Sequence, residues 1–157
     1  MEIELLVRAV IQDHGRFLSA HTKGASNTYL PGGHVEAGEG MKLALARELD
    51  EELGLAIEVG EYLGSVEHAW KSAGVHNHEI NHFFEATSAE LHADRSPDSQ
   101  ENHVEFFWLS PSEFTTRNLQ PTPLRQLLSN WESRSHRIWW ASTLDSPPAR
   151  RTPNGGL

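Results

Sequence analysis

Apolar positions crowd the first residues of the chain, where only Glu4 and Arg8 interrupt a run of Ile, Leu, Val and Ala over residues 3–11. So short a continuous apolar run predicts a strand covered on both faces. Asp13-His14-Gly15 is a turn signal, and residues 16–21 predict a second strand returning from it. Over residues 41–53 the spacing becomes helical, and Gly54 falls where a helix end needs positive φ. Residues 56–70 and 78–87 alternate well enough to predict two more strands, separated by the loop KSAGVHN. Residues 88–100 are polar and predict a mobile loop, and residues 104–109 a strand. A helical turn is expected at 111–114 and an amphipathic helix at 123–131. Residues 1–140 are expected to form the domain, and 141–157 a disordered tail by composition. Strands and helices mix without a regular strand–helix alternation, which predicts the α+β class, with a mixed sheet flanked by helices.

Composition narrows the partners. A length of 157 residues suits one domain with its own core, and 38% apolar against 22% charged residues is a soluble globular balance. The net charge of −9 disfavours binding to a nucleic-acid backbone. It also requires any polyanionic ligand to arrive with a cation. The absence of cysteine excludes disulfide and thiolate chemistry and fits a reducing cytoplasm, the expected compartment. No signal-peptide layout is seen, and no apolar run approaches the ~20 residues of a membrane helix, so no membrane partner is expected.

The predicted helix carries an uncomfortable charge pattern. At ~100° per residue, Met41, Leu45, Leu49 and Leu53 form one stripe that packs on the sheet. Glu48, Glu51 and Glu52 cluster beside it, with Glu48 and Glu52 at its edge rather than on the solvated side. Like charges at this spacing repel, and the C-terminal half of a helix already carries partial negative charge. A cation relieves both costs, and oxygen-only ligands favour a hard one such as Mg²⁺, Mn²⁺ or Ca²⁺. An acidic face that simply stays solvated is the competing reading. Just before the helix, YLPGGHVEAGEG (residues 29–40) holds four glycines and a proline, as if bare backbone were needed there.

Taken together, residues 33–55 (GHVEAGEGMKLALARELDEELGL) resemble the signature of the Nudix hydrolases. Its constrained positions are filled by Gly33, Glu39, Arg47, Glu48, Leu49, Glu51, Glu52, Gly54 and Leu55. The preceding Leu30-Pro31-Gly32-Gly33 matches the family's usual approach to it. The resemblance implies an α/β/α sandwich and Mg²⁺- or Mn²⁺-dependent hydrolysis of a phosphoanhydride in a nucleoside diphosphate derivative. It implies metal ligation by Glu48, Glu52 and the Gly33 carbonyl, with Glu51 as a ligand or as the base for water. Glu48 is a second candidate for catalysis, while Arg47 and Glu39 brace the loop–helix junction and Gly54 ends the helix. A further acidic ligand is expected downstream, from Glu101 or Glu105; Glu105 is preferred because it lies on a predicted strand.

The chain departs from its relatives at Gly40, where many carry a Ser or Thr cap, and in the second strand, where they carry Arg. Phosphate contact is therefore expected from His21 or Lys23, and base stacking from Tyr29 and Trp70. Ten histidines raise a zinc reading for His76, His78 and His82, which HExxH or Cys partners do not accompany. Trp139 and Trp140 are expected to pack on the domain or on a partner subunit of a homodimer; a monomer is the alternative. The marks of ADP-ribose-, NADH- and coenzyme A-cleaving relatives are not found. The expected substrate is thus a nucleoside triphosphate, canonical in base or oxidised, cleaved to monophosphate and pyrophosphate. Nucleoside diphosphate sugars or dinucleoside polyphosphates are the alternative substrates, and a non-catalytic ligand-sensing module the alternative class.

Overall fold

The computed structural model describes residues 2–145. The apolar N-terminal run forms β1 (Ile3–Val10), and a turn at His14-Gly15 joins β2 (Gln12–Asp13) to β3 (Arg16–Thr22). Both turn residues have positive φ, 48° and 75°, which matches the twist of a two-residue hairpin. Next come β4 (Gly32–His34), α1 (Met41–Leu53), β5 (Glu58–Ser72), β6 (Val75–Thr87) and β7 (Val104–Leu109). The chain then forms α2 (Pro123–Ser129) and β8 (Trp139–Ser142).

Five strands make a mixed sheet in the order β4-β1-β6-β5-β8, with β1 parallel to β6 and β5 parallel to β8. A second, antiparallel sheet has the order β2-β3-β7. The helices cover opposite faces of the larger sheet. Val7, Ala9 and Phe84 pack with Leu45 and Leu49 of α1, whereas Val10 and Phe83 pack with Leu124 and Leu128 of α2. Successive residues of β1 thus face different helices, which explains a strand with almost no polar side. The protein is α+β, with its mixed sheet between two helices.

Local expectations change in four places. Gly32–His34, expected within a bare loop, is a strand paired antiparallel to β1. The expected seven-residue loop shrinks to Ala73-Gly74, at φ 48° and 82°, with Ser72 paired to Val75. The segment expected to be mobile is tied down: Ala93 N–H donates to Asp13 Oδ2 at 2.7 Å, Gln100 N–H to the Glu52 carbonyl at 2.8 Å, and Trp108 Nε1–H to the Arg95 carbonyl at 2.9 Å. Ala141 and Ser142, expected to open a disordered tail, belong to β8, where they pair with Val66 and Glu67. Ladder bonds, together with Ser142 Oγ donating to Glu67 Oε2 at 2.9 Å, hold this polar segment in place. Residues 146–157 of the expected tail lie outside the described residues.

Of the two tryptophans beside that tail, Trp139 is buried against Phe83 and Trp131, with ring centroids 6.1 Å away in each case. Trp140 points the other way and is 61% exposed. Strand alternation separates them.

The β5–β8 contact depends on Gly64, which sits at φ 139° where a Cβ would land on the backbone of Trp139. Gly64→Ala is expected to dislodge β8 and lower the free energy of unfolding by about 2 kcal/mol or more in urea titration. Gly40 caps α1 at φ −70° and ψ 143° with no side-chain bond, and a Cβ there meets nothing. Gly40→Ser is therefore expected to stabilise the same transition by roughly 0.3 kcal/mol.

Candidate active site

The acidic face of α1 meets the glycine strand. The bonds from Ala9 N–H to the Pro31 carbonyl and from Val35 N–H to the Leu5 carbonyl set the parity of the β1–β4 ladder. By that alternation Gly33, opposite Val7, is a hydrogen-bonded position whose carbonyl turns into the ladder. Gly32 turns its polar groups outward, and its carbonyl accepts from Arg8 Nη1 at 3.2 Å. The carbonyl available on the acidic side is thus that of Gly32, not of Gly33 as expected. The role of Gly33 is spatial: the Glu48 carboxylate occupies the place where its Cβ would be.

Glu52 lies deepest, 8% exposed, and its Oε2 is fully buried with no hydrogen-bond partner. Burial pushes its carboxyl up to about 8, opposed by the charge of Arg8 and reinforced by Glu48 and Glu101. An orphaned carboxylate oxygen is a costly feature unless something binds it. Among the described residues no three acidic or histidine side chains already converge on one point. The donor set nonetheless fits a hard divalent cation: Glu52 and Glu48 beside an outward carbonyl, with Glu101 close enough for its charge to act on Glu52.

Arg47 organises the remaining carboxylates. Its Nε and Nη2 hold Glu39 at 2.7 and 2.9 Å, Nη2 also reaches the His34 carbonyl at 3.2 Å, and Nη1 reaches Glu48 at 3.0 Å. The pairing holds the Glu39 carboxyl below its ordinary range. Glu51 is held loosely, at 3.4 Å from Nη1, with about half of its side chain in solvent. Gly54 ends the helix at φ 64°, donating its N–H to the Asp50 carbonyl at 2.8 Å.

A cavity of about 440 Å³ opens on the α2 side of the larger sheet, and Tyr29 and Trp70 both line it. So does Arg8, a residue that sequence reasoning registered only as an interruption of a strand. Its Nη1 also donates to the Leu30 carbonyl at 3.3 Å, its Nε points at Asn81 Oδ1 at 3.4 Å, and its guanidinium lies 5.2 Å from the centre of the Tyr29 ring. Because its charge also acts on Glu52, Arg8 stands between the cavity and the acidic face. A lone arginine in an otherwise apolar strand was the available signal.

Other expected site residues are elsewhere. His21 has both ring nitrogens engaged, Nδ1 with Glu105 at 2.8 Å and Nε2 with the Ala25 carbonyl at 2.8 Å, and these raise its pKa. Glu105, preferred as the downstream ligand, is therefore tied to His21. Glu101 is the carboxylate felt at Glu52, because the Gln100–Glu52 bond carries its segment to the end of α1. Lys23 lines a second, more open hollow with Glu101 and Glu105 rather than the aromatic cavity. His78 pairs with Glu67 at 2.9 Å and His82 with Tyr62 and Ser65 at 2.8 and 2.9 Å, so these two members of the expected His76, His78 and His82 set are spent on separate partners.

The fold and this junction of glycine strand and acidic helix define a hydrolase of phosphorus-containing anhydrides. The sequence model of the NUDIX domain matches residues 5–130, and the chain belongs to the Nudix hydrolase family. It is 31% identical over 133 residues to a CTP pyrophosphohydrolase of Escherichia coli K12, covering 79% of this chain and 88% of that protein. Among solved structures it is similar to the E. coli ORF135 protein, with 30% identity, a TM-score of 0.59, and coverage of 85% of this chain and 94% of that one. The MutT Nudix hydrolase of Burkholderia pseudomallei gives 25% identity and a TM-score of 0.62, with 83% and 98% covered.

The two glycines of β4 are expected to respond differently to a methyl group. Gly32 has φ 141° and would drive a Cβ into the Val7 carbonyl, so Gly32→Ala should cost about 3 kcal/mol or more of stability by urea titration. Gly33→Ala meets only the movable end of Glu48, so it should cost less than about 1 kcal/mol while displacing that carboxylate. Equal losses of stability in the two variants would contradict this assignment.

Proposed function

We propose that the protein cleaves a nucleoside triphosphate to the monophosphate and pyrophosphate, in a reaction that depends on Mg²⁺ or Mn²⁺. The observation that carries this reading is the unpartnered, buried Oε2 of Glu52, joined through Arg8 to an aromatic cavity. A cation at the acidic face would be held by Glu52, Glu48 and the Gly32 carbonyl, with Glu101 adding charge. When bound, it would offset the net charge of −9 and polarise the phosphoryl oxygens.

The chain's own groups divide the remaining work. Tyr29 and Trp70 flank the space for the base, and Arg8 meets the phosphate nearest the ribose. Glu51, the least restrained carboxylate of the cluster, takes a proton from the attacking water as its oxygen bonds to phosphorus. The anhydride P–O bond breaks on the opposite side, and the monophosphate and pyrophosphate separate. Arg47 keeps Glu48 and Glu51 from splaying apart. Similarity to a CTP pyrophosphohydrolase supports the triphosphate reading over nucleotide sugars.

Glu51→Gln and Glu52→Gln are each expected to lower kcat about 100-fold or more without unfolding the domain, assayed on a panel of triphosphates, nucleotide sugars and dinucleoside polyphosphates. Wild-type rates in both variants would remove catalysis from this helix. EDTA should abolish turnover and added Mg²⁺ or Mn²⁺ restore it. The same cations should raise the unfolding temperature of the wild type but not of Glu52→Gln. Reaction in ¹⁸O-water identifies the phosphorus attacked.

A further inference from the structure

We propose that Glu79 reads the base of the substrate, accepting a hydrogen bond from an exocyclic amino group and disfavouring bases with a carbonyl at that position. The inference rests on the nucleotide reading above and goes beyond it by naming the group recognised. Glu79 lies on β6 among the residues lining the aromatic cavity, and it is 8% exposed. Asn81, two residues on and thus on the same face, donates from Nδ2 to Glu79 Oε1 at 2.9 Å. Asn81 is in turn approached by Arg8 through its Oδ1. One carboxylate oxygen is therefore fixed. Among the described residues no hydrogen bond reaches the other, Oε2.

This free oxygen differs from that of Glu52. Glu52 Oε2 is sealed from solvent, whereas Glu79 Oε2 is not among the fully buried unpartnered atoms, and Glu79 lines the cavity. A carboxylate as deeply buried as that of Glu79 is costly unless donors meet it. Its setting indicates what kind of donor that is. Across the ladder from Glu79 is His68, whose ring stacks on Trp70 with centroids 5.0 Å apart and planes 19° apart. Both rings line the cavity, and Tyr29 and Phe83 line it too. A flat aromatic surface beside a carboxylate oxygen that no hydrogen bond engages suits a planar heterocycle with an N–H donor on its edge.

Among nucleobases, an exocyclic amino group presents such a donor clear of neighbouring oxygens. The ring N–H of uracil is flanked by two carbonyls, whose lone pairs would face the carboxylate. A carbonyl in place of the amino group would meet Glu79 Oε2 acceptor to acceptor. Arg8, bonded into the same network, offsets the negative charge of Glu79 toward the phosphates. A site built around a buried acceptor rejects an analogue lacking the donor more strongly than an apolar pocket rejects a missing methyl group.

The test uses pairs that exchange amino for carbonyl at one ring position, CTP with UTP and ATP with ITP. It measures kcat/KM for each triphosphate and the affinity of each corresponding monophosphate by calorimetry. The wild type is expected to favour the amino member of at least one pair by about tenfold or more in both measurements. Glu79→Gln, which can present an amide N–H to a carbonyl, should bring that ratio near one or reverse it, and Glu79→Asp should lower it. An equal preference within both pairs, or a ratio unchanged in folded Glu79→Gln, would overturn the proposal. Amino-selective binding of monophosphates without hydrolysis of any triphosphate would sustain Glu79 as the reader and refute the triphosphate reading instead.

Discussion

Glu52 is held out of water against a strand whose glycines admit the helix closely, and this contact sets the cost that the surrounding structure must meet. Its carboxyl is pushed up to about 8 by burial and by the nearby charges of Glu48 and Glu101, with Arg8 and the backbone of Gly32 opposing them. A larger residue at Gly33 would displace Glu48, and one at Gly32 would push β4 off β1. The charge cluster and the bare backbone are thus two halves of one arrangement. Helix packing forces the carboxylates together, and the strand leaves a carbonyl and open space beside them.

Arg8 connects this arrangement to the rest of the molecule. It reaches two carbonyls near β4, lies against Tyr29 and approaches Asn81, while its charge acts on Glu52. β1 is the central partner of both β4 and β6, so a side chain on it can touch both the glycine strand and the cavity wall. In the proposed reaction a polyanion would lie across Arg8, with its acidic-face end and its cavity end served by different elements. Arg47 acts on the other side, holding Glu39 tightly and Glu51 loosely. The least restrained carboxylate is therefore the one with freedom to move during a reaction.

Much of the helix and its charge pattern was legible from spacing. Leu45, Leu49 and Leu53 are buried as the periodicity requires, and Gly54 ends the helix in the left-handed conformation. Strand register was harder to see. Gly32–His34 has no strand propensity, and it pairs because β1 offers an edge and Gly32 alone fits against Val7. Ala141 and Ser142 read as tail because their composition is polar, yet a parallel edge at β5 captures them. His21 and Lys23 were plausible phosphate contacts by chain position. Instead, Glu105, 84 residues away, claims one, and the other faces a different hollow.

The sequence by itself determined the family, the acidic helix face and the glycine approach, because these depend on residues within two dozen positions of one another. Helix periodicity turns such spacing directly into geometry. Only the tertiary structure decided that Arg8, rather than His21 or Lys23, joins the acidic face to the cavity, that Glu101 is the downstream carboxylate felt at Glu52, and that Glu79 is left with a free oxygen. Each depends on strand neighbours far apart in the chain, as with the 73 residues between Arg8 and Asn81. Pairing at that range is set by how whole faces bury their apolar area, which no local spacing encodes.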